Sequence, residues 1–181
     1  GEVLLTPIQM ANFTAAIANR GWWMRPHMIK NIQDHDTIAK KFKNINITSI
    51  DSNYFEPIIE GMHDVYRDGT ASFLKIPDIE ICGKTGTAEN FKKIDGSVKQ
   101  LTDHSVFVAF APKNNPKIAI AVFVENGYWG ARWAGRIASL MIEKYIKGEI
   151  TRTDMEAYVL NGSLEGEYNK PYAGKPFKIN Q

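Results

Sequence analysis

The chain has 181 residues, enough for one sizeable core. Its 44% apolar and 23% charged residues are ordinary for a globular protein, and a net charge of +2 without a Lys/Arg-rich block gives no footprint for nucleic acid. Cys82 is the single cysteine, so no internal disulfide can form. The longest apolar runs, 106–111 and 118–124, fall far short of the roughly 20 residues of a membrane span. The opening Gly1-Glu2-Val3-Leu4-Leu5 runs straight into a helix start without an initiator methionine. It reads as a piece of a longer protein, so the lack of a visible signal peptide excludes little.

Thr6-Pro7-Ile8-Gln9 predicts a helix start with a capping box and proline in the first turn. Ile8, Ala11, Ala15 and Ala18 share one face and Met10, Phe13 and Ile17 another, which predicts a buried helix ending at Gly21. Trp22 to Ile32 reads as extended, and 33–50 as a polar, exposed connection. Phe55, Ile58, Ile59, Met62, Val65 and Tyr66 recur at helical spacing, with Gly69 as the stop. Residues 79–85 alternate as a strand, and Asn90 to Thr102 reads as a polar loop. Two apolar strands, 104–111 and 117–125, flank the turn Lys113-Asn114-Asn115-Pro116. A helix over 130–147 comes next, with Ala134, Ile137, Ala138, Met141 and Tyr145 on one face and Gly148 as stop. Residues 149–181 lack periodicity and read as a C-terminal tail, draped or mobile, beyond a domain portion spanning 1–148. The order predicts an α+β (α/β) fold in which helices cover an antiparallel sheet.

Gly83-Lys84-Thr85-Gly86-Thr87 closes the first of these strands. A phosphate loop would need glycine at 78, but Asp78 stands there and no helix comes soon after. An acyl-transfer site for a peptide with a free carboxylate explains each residue. Lys84 supplies a cation for the carboxylate, and Thr85 and Thr87 supply hydroxyls. Gly86 leaves the strand edge bare, so a substrate backbone can lie along it. A neighbouring N–H can donate to the developing oxyanion. The tetrad alone leaves open a blander reading, a solvated lysine at a strand end.

Flanking segments add weight. The helix Thr6-Pro7-Ile8-Gln9-Met10-Ala11-Asn12, the turn Asp68-Gly69-Thr70-Ala71, the strand Asp103-His104-Ser105-Val106-Phe107, and Val124-Glu125-Asn126-Gly127 surround the Lys-Thr-Gly-Thr edge in order. Over about 1–147 the chain resembles the penicillin-binding transpeptidases of class B, the elongation-type penicillin-binding protein 2 group more than the septal type. The resemblance implies an incomplete penicillin-binding/serine β-lactamase-like fold. By it, Lys84, Thr85, Gly86 and Thr87 bind the carboxylate of a stem peptide or β-lactam, and the Thr87 N–H joins the oxyanion hole. It further implies peptidoglycan D,D-transpeptidation without metal or organic cofactor, an inner-membrane anchor with this domain on the periplasmic side, and partnership with a glycan-strand polymerase of the elongation machinery. A serine β-lactamase and a penicillin-recognising sensor are the alternatives.

The family's Ser-x-x-Lys nucleophile and Ser-x-Asn motifs belong upstream of the opening helix, so no catalytic nucleophile is expected here and the isolated chain is expected to be inactive. Ser72-Phe73-Leu74-Lys75 has the nucleophile's spacing but lies on the link into the tetrad's own strand, and reads as a decoy. His27, His35, His63 and His104 lack metal-ligand spacing. Asp103-His104 reads as a strand-end support rather than a triad pair, and Trp22-Trp23 as packing or a lip of the fold rather than a ligand stack. Trp129 and Trp133 bracket the start of the last helix, leaving open whether they touch substrate. Missing sheet partners predict an exposed edge and self-association.

Overall fold

The computed structural model describes residues 4–29 and 42–168. Helix α1 (Pro7–Ala18) starts as expected, with Gln9 Oε1 accepting from Thr6 N–H at 2.8 Å and from Thr6 Oγ1 at 2.9 Å. Gly21 ends it at φ 107°, its N–H donating to Ala16 O at 2.8 Å. Only one side is buried: Thr14, Ala16 and Ala18 are covered, whereas Ile8 and Phe13 are 57% and 63% exposed. The expectation of a helix buried on two faces fails because α1 lies on a single sheet layer. Nothing among the described residues covers its outer side.

Strand β1 (Trp22–Met24) pairs antiparallel with β2 (Ile45–Ile47), so the 33–50 connection ends in a short strand. Residues 30–41, including Asp34-His35-Asp36, lie outside the described residues. After a 3-10 turn (Ser52–Phe55), α2 (Glu56–Arg67) carries Pro57 in its first turn and buries Ile59, Met62 and Tyr66, with Gly69 as the stop.

The polar loop predicted over 90–102 is absent. β3 runs Cys82–Ile94 and β4 Ser97–Ala111, an antiparallel pair closed by Asp95-Gly96 with φ of 51° and 81°. Positive φ at both positions suits an Asp-Gly hairpin turn. β5 (Ile118–Val124) completes a sheet of order β3-β4-β5. Strand 79–85 therefore starts later than expected, at Cys82, and Ile79 forms only an isolated bridge with Ile76. The hairpin around 113–116 is as expected.

One sheet face packs Phe107, Ala109 and Ala111 against Leu74, Ala138 and Ile142; the other packs Cys82 and Phe110 against Ala18, Phe55, Ile59 and Met62. The C-terminal helix opens with a π-helical turn (Ala131–Gly135) that continues into α3 (Arg136–Lys147), ending at Gly148 with φ 83°. A π turn takes up an extra residue and rotates the rest of the helix about its axis. That explains why Met141 and Tyr145, expected on the buried face, are exposed, while Leu140 and Ile142 are buried.

Residues 149–168, read from sequence as a featureless tail, fold into α4 (Thr153–Leu160) and α5 (Glu165–Tyr168). Their anchors are polar. Arg152 pairs through Nε with Glu143, which has no solvent exposure, at 2.9 Å; it also donates to Leu74 O at 3.1 Å and Ser139 O at 3.0 Å. Glu167, 2% exposed, pairs with Arg132 and accepts from Trp133 Nε1 at 3.2 Å. Gly162 seats Trp133, since a Cβ there would lie 2.3 Å from its ring. Among the described residues no helix is long and apolar enough to cross a membrane.

Candidate active site

Among the described residues β3 is an edge strand, paired in its sheet only with β4, which leaves its other side open to an added chain. The tetrad lies in its inner half, in the register Lys84↔Val108, Thr85↔Phe107, Gly86↔Val106, Thr87↔Ser105. Strand alternation puts Thr85 and Thr87 on the face shared with Phe107 and Ser105, and Lys84 on the other. The Lys84 ammonium turns back onto Thr85 O at 2.8 Å.

Thr85 and Thr87 open into a cavity of about 470 Å³. Its other walls are Thr70 and Phe73 from the link after α2, Trp129 to Arg132 from the start of the last helix, and Arg136. The Thr70 and Thr85 hydroxyls stand 3.4 Å apart. Lys84 is not part of this lining.

The wall is held by close backbone packing. A Cβ on Gly130 would lie 2.3 Å from Gly86 O and 2.6 Å from Val106 O, so only glycine lets the helix start touch the strand. Ser105, fully buried, fixes the same junction: its hydroxyl donates toward Trp129 O (2.7 Å) and Gly130 O (3.1 Å) and accepts from Ala134 N–H (3.2 Å). Beneath the tetrad, Gly83 makes room for Tyr66, whose ring would lie 2.9 Å from a Cβ there. Burial pushes the Tyr66 phenol far above its ordinary range.

Just past Thr87 the register shifts between Ala88 and Asn90. Asn90 Nδ2 donates to Thr102 O at 3.1 Å and Asn126 Oδ1 at 2.9 Å, while the Asn90 N–H reaches Asp103 Oδ1 at 3.4 Å. Burial raises the Asp103 carboxyl above its usual value. His104 Nδ1 accepts from Asn126 N–H at 3.0 Å. Asp103 and His104 thus brace the strand ends separately, as the support reading expects, and do not form a base pair. Ser72 opens a 3-10 turn (Ser72–Leu74), and it is Phe73, not Ser72, that lines the cavity. The Cys82 thiol is buried and pushed up to about 12 by burial, so it is no thiolate nucleophile. Among the described residues no cluster of three metal-ligating side chains occurs.

The two tryptophans separate. Trp129, 60% exposed and stacked on Tyr128 with centroids 5.4 Å apart, lines the cavity; Trp133, 6% exposed, packs under the C-terminal extension. Sequence reading did not single out Thr70, Phe73, Ser105, Gly130, Arg132 or Arg136 as site residues. Gly130 carried a signal, being a glycine beside a predicted helix start.

The sequence profile described as "Penicillin binding protein transpeptidase domain" matches residues 1–143. The chain belongs to the penicillin-binding protein transpeptidase family. This family member is 36% identical over 145 residues to the peptidoglycan D,D-transpeptidase MrdA of Acinetobacter baumannii, covering 72% of this chain and 21% of that protein. It is 30% identical over 159 residues to the peptidoglycan D,D-transpeptidase PbpA of Mycobacterium tuberculosis, covering 82% of this chain and 30% of that one. Among solved structures it resembles Pseudomonas aeruginosa PBP2 in complex with WCK 5153 (TM-score 0.65, 32% identity, 84% of this chain and 32% of that chain). It also resembles the imipenem acyl-enzyme complex of M. tuberculosis penicillin-binding protein A (TM-score 0.65, 30% identity, 81% of this chain and 32% of that chain). The expected mixed fold, helices on an antiparallel sheet, is that of these domains. The chain spans 21% and 30% of the length of the two curated relatives.

Proposed function

We propose that this chain forms the carboxylate-gripping wall of a serine-type peptidoglycan D,D-transpeptidase that crosslinks stem peptides during cell-wall elongation and is acylated by penicillins. The observation that carries the reading is the edge strand itself. Thr85 and Thr87 face a cavity, Gly86 brings no side chain to the strand edge, and among the described residues β3 has an unpaired side along which a peptide can pair. Lys84, Thr85, Gly86 and Thr87 bind the terminal carboxylate, and the Thr87 N–H donates to the oxyanion. The serine nucleophile and its Ser-x-Asn partner come from the remainder of a longer protein. In that protein serine attacks the penultimate carbonyl, terminal D-alanine leaves with the serine's proton, and an amine of a neighbouring stem then takes the acyl group as the ester bond breaks and its proton returns to the serine.

Residues 1–148 then form the C-terminal portion of the domain and 149–181 an extension of it. The longer protein is anchored in the inner membrane with this domain in the periplasm, beside a glycan-strand polymerase. Exposed Ile8 and Phe13 on α1 lie where the rest of the domain packs, and in the isolated chain they favour self-association.

A labelled penicillin tests the reading. The longer protein should be acylated, and Thr87→Val should slow acylation about a hundredfold by removing a hydroxyl that grips the carboxylate. The 181-residue chain alone should stay unlabelled. Labelling of that chain, abolished by Ser72→Ala, would overturn the proposal and restore Ser72-Phe73-Leu74-Lys75 as the nucleophile motif.

A further inference from the structure

Thr85 and Thr87 share their cavity with arginines, whereas Lys84 projects from the other face of β3. The two arginines differ. Arg132 is held by the buried Glu167 carboxylate. Arg136 has no carboxylate partner among the described residues: its guanidinium lies between Phe73 (4.8 Å to the ring centroid) and Tyr158 (4.3 Å), and Nη1 donates to Arg132 O. A guanidinium has five N–H donors, and the stacked rings cover its faces rather than its edge. A positive charge is therefore held between two rings, its donors only partly used, in the same cavity as two threonine hydroxyls. Burial lowers the Arg136 pKa, as expected for a cation shielded from water without a counter-charge.

We propose that Arg136 is a specificity-determining residue of this site, supplying the charged donor for a ligand carboxylate on the Thr85/Thr87 face of β3. The chemistry is that of a peptide or β-lactam bearing a free carboxylate. The guanidinium fork matches it, and the flanking rings fix the fork's plane. Lys84, held on Thr85 O, then approaches the same edge from the strand's other face, and Arg136 adds a second cation on the threonine face. The inference rests on the reading of β3 as a carboxylate-gripping wall and names a further residue that supplies charge to it.

The test uses the 181-residue chain and two probes, N-acetyl-D-alanyl-D-alanine and its C-terminal amide, titrated while the arginine Nε–H resonances are followed by NMR. The expected result is a saturable shift of the Arg136 Nε–H with the acid and not with the amide. Arg136→Gln should weaken the acid about tenfold and leave the amide unchanged, and Arg136→Lys should recover part of that loss. Thermal melts of both variants check the fold, and the wild-type resonance needs no variant at all. Preference for the acid that survives Arg136→Gln but disappears in Lys84→Gln overturns this inference while the wall reading stands. No preference for the acid in the wild type overturns both.

Discussion

The β3–β4 hairpin holds two regions of opposite character. Its inner half, Cys82 to Thr87 against Ser105 to Phe110, buries Cys82 and Phe110 under α1 and α2 and Phe107 under α3, and presents Thr85 and Thr87 to the cavity. Its outer arm, Asn90 to Leu101, carries Phe91 and Val98 more than half exposed and ends in a two-residue turn. The same pair of strands is thus packed into the core at the cavity wall and lightly supported beyond Asn90. The difference lies in what packs against each half, since backbone pairing runs through both apart from the shift at Glu89.

The supports behind the inner half should give the largest effects. Arg152→Gln leaves the Glu143 carboxylate buried without its cation and should cost about 3 kcal/mol or more in unfolding free energy, measured by urea denaturation. The Arg152→Gln/Glu143→Gln pair should recover much of that loss; a double variant as unstable as the sum of its parts would show that the arginine acts by packing alone. The acid limb reports on the same carboxylate. Burial works to raise the Glu143 pKa, but the bonds from Thr151 and Arg152 outweigh it and hold it below the ordinary value. A carboxyl lowered in the folded state stabilises fully above its unfolded pKa of about 4.3 and loses that contribution as pH falls through the folded value. The stability gap between wild type and Glu143→Gln should therefore be flat above about pH 5 and shrink below it.

Next comes Gly130→Ala, with an expected cost of about 2 kcal/mol and a distorted junction between helix and strand, read as loss of stability together with weaker acylation of the longer protein. At the boundary between the halves, Asn90→Ala removes the bonds to Thr102 and Asn126 and should cost about 1 kcal/mol. Smallest is Gly96→Ala at the arm's tip. Its positive φ predicts a loss of about 1 kcal/mol or less, with penicillin acylation unchanged. If the tip substitution slowed acylation as much as Gly130→Ala, the division of the hairpin would be wrong.

The inner half and the elements packed on it were legible because their signals are apolar or glycine-based: alternation into Gly83, the Lys113–Pro116 turn, and the Gly21 and Gly148 stops. The outer arm was not, although Asp95-Gly96 is a strong hairpin turn. Polar side chains on both faces leave no period-2 pattern, so composition outweighed the turn. Residues 149–168 escaped for a related reason. Their attachment rests on Arg152 and Glu167, and a charge that will be buried looks the same in sequence as one that will be solvated. The tetrad was found from its spacing, but the face each residue takes depended on register with β4, and Arg136 joins only through the fold.

The partnership of Glu143 with Arg152 also bears on how such proteins are divided. Likeness to the family profile stops at residue 143, the very position whose charge is neutralised nine residues later. A gene fragment trimmed to the edge of that likeness would end inside α3 on the acid itself and discard the base that makes its burial tolerable. Evolution can vary the sequence beyond the shared module, yet here the module is physically finished only by residues outside the family profile.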